Sequence, residues 1–172
     1  TTVMHGPFCT QILGEMGAEI IKIETPSGDV NRWTGESRSP GMSTGQLIKG
    51  RNKRSIVLNL KINNARKVFE KLIKTADVFV HNIRPKAASR LAIDYETITK
   101  LNPSIIYASA TGFGEAGPFA DKPAYDDLIQ GASGIASLFG KVTGTPRYVP
   151  SVMADKTTGL FLSNYISMAL FH

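Results

Sequence analysis

A single cysteine, Cys9, stands among the 172 residues, so no internal disulfide framework is possible and a reducing compartment is expected. Histidines are equally scarce. The three are scattered, and together with Cys9 they give no metal-ligand spacing, so no metal is expected. No apolar run approaches the roughly 18–20 residues that a membrane span requires, and no membrane partner is expected. Residues Thr1 to Thr10 carry neither the basic start nor the long apolar stretch of a secretory signal. Aromatic side chains are missing from the one dense basic cluster, Lys49, Arg51, Lys53 and Arg54. With no recognition motif beside it, that cluster reads as a solvated turn, and nucleic acid is not expected as a partner.

What is present fits an ordinary globular domain with one core. Hydrophobic residues make up 42% and charged residues 20%. The net charge of +6 calls for an anionic partner, and a phosphate-rich cofactor is one that suits it. Both ends look cut: a helix start follows Thr1 almost at once, and the apolar run from Leu160 to Phe171 has no polar cap before His172. Its apolar positions recur all round, as in a helix buried by other structure, so a fragment of a longer chain is expected.

Strand and helix patterns alternate. Gly6-Pro7 opens a helix that Gly17 ends. Glu19–Glu24 reads as a strand, closed by the turn residues Pro26-Ser27-Gly28-Asp29. Residues Val30 to Gly50, rich in Gly, Ser, Thr and Arg, read as an ordered loop. A second strand, Ser55 to Leu60, leads into an amphipathic helix with Ala65, Val68, Phe69, Leu72 and Ile73 on one face. Asp77 to His81 forms a third strand, followed by a short helix to Leu91 and another near Tyr95–Leu101. Ile105 to Ala110 forms the fourth strand, ending at Thr111-Gly112-Phe113-Gly114. Apolar strands separated by helices predict a doubly wound α/β layer, mostly parallel, with sites at the strand ends.

Chemistry-bearing residues follow those ends: Lys61 after the second strand, Asn82, Arg84 and Arg90 after the third, Tyr125-Asp126-Asp127 after the fourth, and then Asp155. Each has a plain structural alternative. Lys61 and Arg90 suit exposed cations near helix ends. Tyr125 suits a half-buried aromatic. Asp155, leading an apolar helix, suits an N-cap.

Read together, the segments resemble the family III CoA-transferases, the CaiB/BaiF group, which includes the alpha-methylacyl-CoA racemases. The resemblance rests on Gly6-Pro7-Phe8-Cys9-Thr10, Leu13–Glu24, Arg51-Asn52-Lys53-Arg54-Ser55-Ile56, Asp77–Pro85 and Leu101–Tyr107. It continues through Gly112-Phe113-Gly114 to Gly117-Pro118, Tyr125-Asp126 with Gln130 and Gly134, and Met153-Ala154-Asp155 with Thr158-Gly159. These blocks cover essentially the whole chain in order. The resemblance implies a Rossmann-like fold in which residues 1–172 are part of the CoA-binding large domain. The family's first strand, small domain and carboxy-terminal part would lie outside them. It also implies a homodimer of two interlocked subunits and a cytoplasmic setting, or a mitochondrial matrix or peroxisome in a eukaryote.

By position, the resemblance puts the nucleophilic aspartate at Asp155. It puts contacts to coenzyme A at Leu58, Lys61, Asn82, Ile83, Arg84 and Arg90 and at Tyr125-Asp126. CoA and acyl-CoA would be substrates rather than a permanently bound cofactor, and backbone N–H groups near Asp155 would hold the oxyanions. Three positions depart from the family pattern. Met4 replaces the glutamine of formyl-CoA transferases and points away from a formyl or oxalate substrate. Thr25 stands where a CoA-contacting arginine is frequent, and Ala92 replaces a glycine, which should alter only a local turn. Two other functions compete. The family's racemases use a histidine thirty residues before the aspartate, but here that residue is Tyr125, a poor base at neutral pH. A non-catalytic basic module would show salt-sensitive binding to nucleic acid and no dependence on CoA.

Overall fold

The computed structural model describes residues 1–172. Helix α1 (His5–Glu15) leads to strand β1 (Ile20–Glu24), a single 3-10 turn (Val30–Trp33), α2 (Thr44–Gly50) and β2 (Lys53–Val57). There follow α3 (Asn63–Thr75), β3 (Val78–His81), α4 (Pro85–Arg90), α5 (Tyr95–Leu101) and β4 (Ile106–Ser109). The chain closes with α6 (Asp126–Ala132), α7 (Ile135–Thr143) and α8 (Met153–Phe171).

All strand pairing is parallel, and the α/β class expected from the alternating pattern is the one observed. The four strands form two ribbons rather than one continuous sheet. β1 lies beside β2 with Ile20 opposite Lys53, and β3 lies beside β4 with Val78 opposite Ile106. At their carboxyl ends the ribbons are tied by the segment before α1. Thr2 exchanges two backbone hydrogen bonds with the Asn82 side chain, 2.9 and 2.8 Å long, and Val3 accepts one from the Asn31 side chain.

One core serves both ribbons. Leu58, Phe69, Ile73, Ala88, Ile93, Ile98 and Ile105 are buried together, flanked by Ile23 and Ile56 of the first ribbon and Phe79 and Tyr107 of the second. The apolar face of α3 supplies Phe69 and Ile73, as its 3.6-residue periodicity requires. A smaller cluster of Cys9, Ala108 and Ile166 joins α1, β4 and α8.

Residues 30–50 do not form the loop expected of them. The Asp29 carboxylate accepts from the Asn31 N–H and starts the 3-10 turn, and Ser43 caps α2 by accepting from the Gln46 N–H. Ser43-Thr44-Gly45-Gln46 has the spacing of a capping box, a signal masked by the polar composition around it. The run Leu160–Phe171 is helical, as its pattern predicts, and leaves apolar side chains uncovered within residues 1–172. Gly159, Ser163 and Ile166 of α8 are buried, whereas Leu160, Phe161, Tyr165, Met168, Leu170 and Phe171 are exposed. Ala92 takes the left-handed conformation, with φ of 49°, which a glycine adopts without the steric cost a Cβ imposes.

Candidate active site

The strand ends converge on the short segment before α1. β1 and β2 end side by side, where the Leu58 N–H donates to the Glu24 carbonyl. Thr2 reaches Asn82 after β3, and the His5 ring reaches the Ala110 carbonyl after β4. Asp155, the third residue of α8, faces the same ring, with His5 Nδ1 3.1 Å from its Oδ1. The Asp155 side chain is 18% exposed, sheltered but within reach of solvent.

Asp155 is not the N-cap expected from its place before an apolar run. Val152 occupies that position, and the Asp155 N–H is taken by Asp126 Oδ1 at 2.7 Å. Asp126 therefore caps α8 from another helix through Oδ1, which leaves only Oδ2 for any other contact. That oxygen, Oδ2, is itself held by Gln130 Nε2 at 2.6 Å. Gln130 is buried, accepts from the Val149 N–H at 2.8 Å and donates to the Ser151 carbonyl at 3.1 Å. The segment leading into α8 is thereby fastened to α6. Because the Asp155 N–H is spent on Asp126, it is not one of the backbone donors expected to face an oxyanion.

A buried charged layer lies beneath the β1 end. Arg32 forms a two-pronged pair with Glu24, 2.6 and 2.7 Å long, and Lys22 pairs with Asp29. The Arg32 hydrogen bonds hold the Glu24 carboxyl down to about 2. Burial alone would raise the Asp29 carboxyl, but hydrogen bonds from the Asn31 N–H and Lys22 outweigh it and its pKa is lowered. Lys49 donates to Asn31 Oδ1 at 2.7 Å, and Lys53 donates to the Pro7 carbonyl at 2.7 Å. Burial lowers the Lys53 ammonium to about 8 and raises the Cys9 thiol to about 12, which makes Cys9 an inert core residue.

The other residues expected from sequence fall into two groups. Lys61, Arg84 and Arg90 are exposed and form no ion pair; Arg84 donates to the Asp121 carbonyl at 3.0 Å. Leu58 and Ile83 contribute side chains to the core, so only their backbone groups face outward chemistry. Asn82 is committed to Thr2. Tyr125, 64% exposed, is the residue flanking the start of α6.

Sequence reasoning assigned no functional or positioning role to His5, Gln130 or His81. His81 holds the 82–84 turn: its Nδ1 accepts from the Ile83 N–H at 3.2 Å. The Tyr107 hydroxyl donates to the Ile93 carbonyl, so His81 Nε2 must donate to the Tyr107 oxygen, 2.6 Å away. No local signal marks the longer contacts, which reach 19 to 21 residues from Gln130, 26 from His81 and 105 to 150 from His5.

Parallel strand pairs with helices between them, and a partly sheltered carboxylate at a helix start beside the strand ends, define a protein of the α/β class. The family model for CoA-transferase family III matches residues 1–172, and the chain belongs to that family. It is 42% identical over 176 residues to the acetyl-CoA:oxalate CoA-transferase of Acetobacter aceti, covering 99% of this chain and 44% of that protein. It is 37% identical over 180 residues to the succinate–glutarate CoA-transferase of Agrobacterium fabrum, with 99% and 44% covered. A CaiB/BaiF family protein from Brucella suis superposes with a TM-score of 0.92 at 33% identity, over 99% of this chain and 46% of that one. The chain thus spans under half the length of these relatives.

Proposed function

We propose that these residues form part of the large, CoA-binding domain of an enzyme that moves coenzyme A from an acyl-CoA donor to a carboxylic acid, with Asp155 as the covalent nucleophile. The observation that carries this reading is the Asp155 carboxylate, held through one oxygen by His5 beside the strand ends, with its other oxygen free of protein hydrogen bonds. A free carboxylate oxygen can attack an acyl-CoA thioester, forming a mixed anhydride and releasing CoA thiolate. The thiolate then attacks the Asp155 carbonyl, leaving an aspartyl-CoA thioester and the donor acid. The acceptor acid reverses both steps and departs with CoA. The named activities of the relatives, exchange of CoA between small acids, agree with this chemistry.

Lys61, Arg84 and Arg90 follow strand ends and lack acidic partners, which suits them to the phosphates of CoA. A racemase needs an acid and a base on opposite faces of one carbon. Tyr125 is a poor base, and a His5–Asp155 pair at 3.1 Å leaves no room for a carbon between its members. No helix is long and apolar enough to cross a membrane. The reading includes a homodimer, in which a second subunit covers the exposed apolar face of α8, and a cytoplasmic or matrix setting where CoA thioesters occur.

Calorimetry of CoA with the full-length protein tests the binding site. Lys61→Ala, Arg84→Ala and Arg90→Ala should each weaken affinity, by roughly 1–3 kcal/mol for a charge-assisted contact. Unchanged affinity in all three would remove this site.

A further inference from the structure

His5 stands between two groups that can only accept. Its Nδ1 is 3.1 Å from Asp155 Oδ1 and its Nε2 is 3.1 Å from the Ala110 carbonyl oxygen. An ionised carboxylate and a backbone carbonyl have no proton to give. Both contacts are therefore hydrogen bonds only when both ring nitrogens carry protons, so the geometry suits an imidazolium beside a carboxylate. With the two side chains 17% and 18% exposed, the pair is sheltered from the screening that weakens surface ion pairs.

The pair is fixed from three directions. Gly159, one turn beyond Asp155, lets α8 rest on the backbone of His5; a Cβ there would come within 2.6 Å of the His5 carbonyl oxygen. Asp126 holds the Asp155 N–H from α6. Ala110, which receives the other ring nitrogen, is itself bonded through its N–H to the His81 carbonyl at 2.8 Å.

We propose that His5 is the positioning residue of the transfer reaction, a role that rests on Asp155 being the nucleophile: it holds Oδ1 and so commits Oδ2 to attack. In the first step Oδ2 bonds to the thioester carbonyl carbon, the C–S bond breaks and CoA leaves as thiolate. In the second, the thiolate sulfur adds to Cγ of Asp155 and negative charge builds on Oδ1, the atom that His5 Nδ1–H already faces. The Cγ–Oδ2 bond then breaks, and its electron pair leaves with the donor acid as carboxylate. No proton moves, and the ring keeps both of its protons throughout.

Asp126 of α6 holds the Asp155 N–H, and Lys49 of α2 lies close enough to Asp155 for its ammonium to feel the carboxylate charge.

The experiment uses full-length enzyme, wild type and two variants, His5→Phe and His5→Gln. Each is measured for kcat and KM and for the mass and position of the adduct formed with acyl-CoA. Wild type should carry its adduct on Asp155. His5→Phe should lower kcat roughly 100-fold, with KM for acyl-CoA little changed. His5→Gln keeps one donor without a titrating proton. It should lose about tenfold in kcat, less than His5→Phe. If His5→Phe does not fold, the kcat and KM of His5→Gln decide alone. Wild-type kcat and KM in the variants, with the wild-type adduct on Asp155, would overturn the role of His5 and leave the nucleophile standing. A raised KM at unchanged kcat would reassign His5 to binding and overturn it likewise. A wild-type adduct on any other residue would overturn both.

Discussion

At the end of β3, burial pushes the His81 imidazole down to about 4, so the ring is neutral at pH 7 and can accept from the Ile83 N–H while donating to Tyr107. In an unfolded chain the same ring titrates near 6.5. Between those values the unfolded state binds a proton that the native state refuses, so stability rises with pH across that window. The His81 contribution is present above about pH 6.5 and is lost as pH falls toward 4, with a span of roughly 3 kcal/mol. Glu24, held at about 2, loses its contribution only at lower pH, from its unfolded range downward. Denaturant unfolding at pH 7, 5 and 4 should show stability already falling by pH 5. His81→Gln should flatten that part of the curve; a wild type equally stable at pH 7 and 5 would contradict the assignment. Residues of this kind were poorly legible in the sequence. Asp155, Lys61 and Arg90 stand out because they follow strand or helix signals, whereas His5 meets its partner across 150 positions of chain. Asp155 was legible as a carboxylate at a helix start but not as an uncapping one, since Asp126 does the capping from α6.

Among the elements, the α1–α8 contact bears most directly on the site. Gly159 is the residue that permits it, because an added Cβ would meet the His5 carbonyl oxygen at 2.6 Å and Phe8 Cδ1 at 3.0 Å. The first of these is backbone and cannot swing aside. Gly159→Ala should therefore move α8 off α1 and cost about 1–3 kcal/mol of stability. Asp155 lies one turn earlier on the same face, so transfer should fall roughly 100-fold as its carboxylate shifts. Paired thermal melts and rate assays of the full-length variant check both effects, and an unaltered melting temperature would contradict the close contact. The strands and the amphipathic α3 were readable from periodicity alone, each within a few residues. α2, α6 and α7 were not, since they run only seven to nine residues and have no long apolar stripe. α2 takes its start from the Ser43 cap, and α6 is anchored by buried Gln130, a polar residue whose burial no periodicity reveals.

For the molecule as a whole, parallel strands with gathered carboxyl ends explain why Asn82, Ala110 and Asp155, far apart in the chain, meet the segment around Thr2 and His5. The alternating pattern was sufficient to give that class. It was not sufficient to give two ribbons, nor the segment before α1 that ties them by binding Asn82 on one side and Asn31 on the other. Nor did apolar character alone give the surroundings of α8, half of which rests on α1 while Phe161, Tyr165 and Phe171 face outward. The central claim is that Asp155 is acylated during turnover. Full-length enzyme incubated with acyl-CoA, trapped with hydroxylamine and mapped by mass spectrometry tests it most directly. The adduct should fall on Asp155, and Asp155→Asn, which preserves the shape of the side chain, should keep the melting temperature while transfer drops by about three orders of magnitude or more. An adduct on Asp126 or Asp127, or near wild-type transfer by Asp155→Asn, would contradict it.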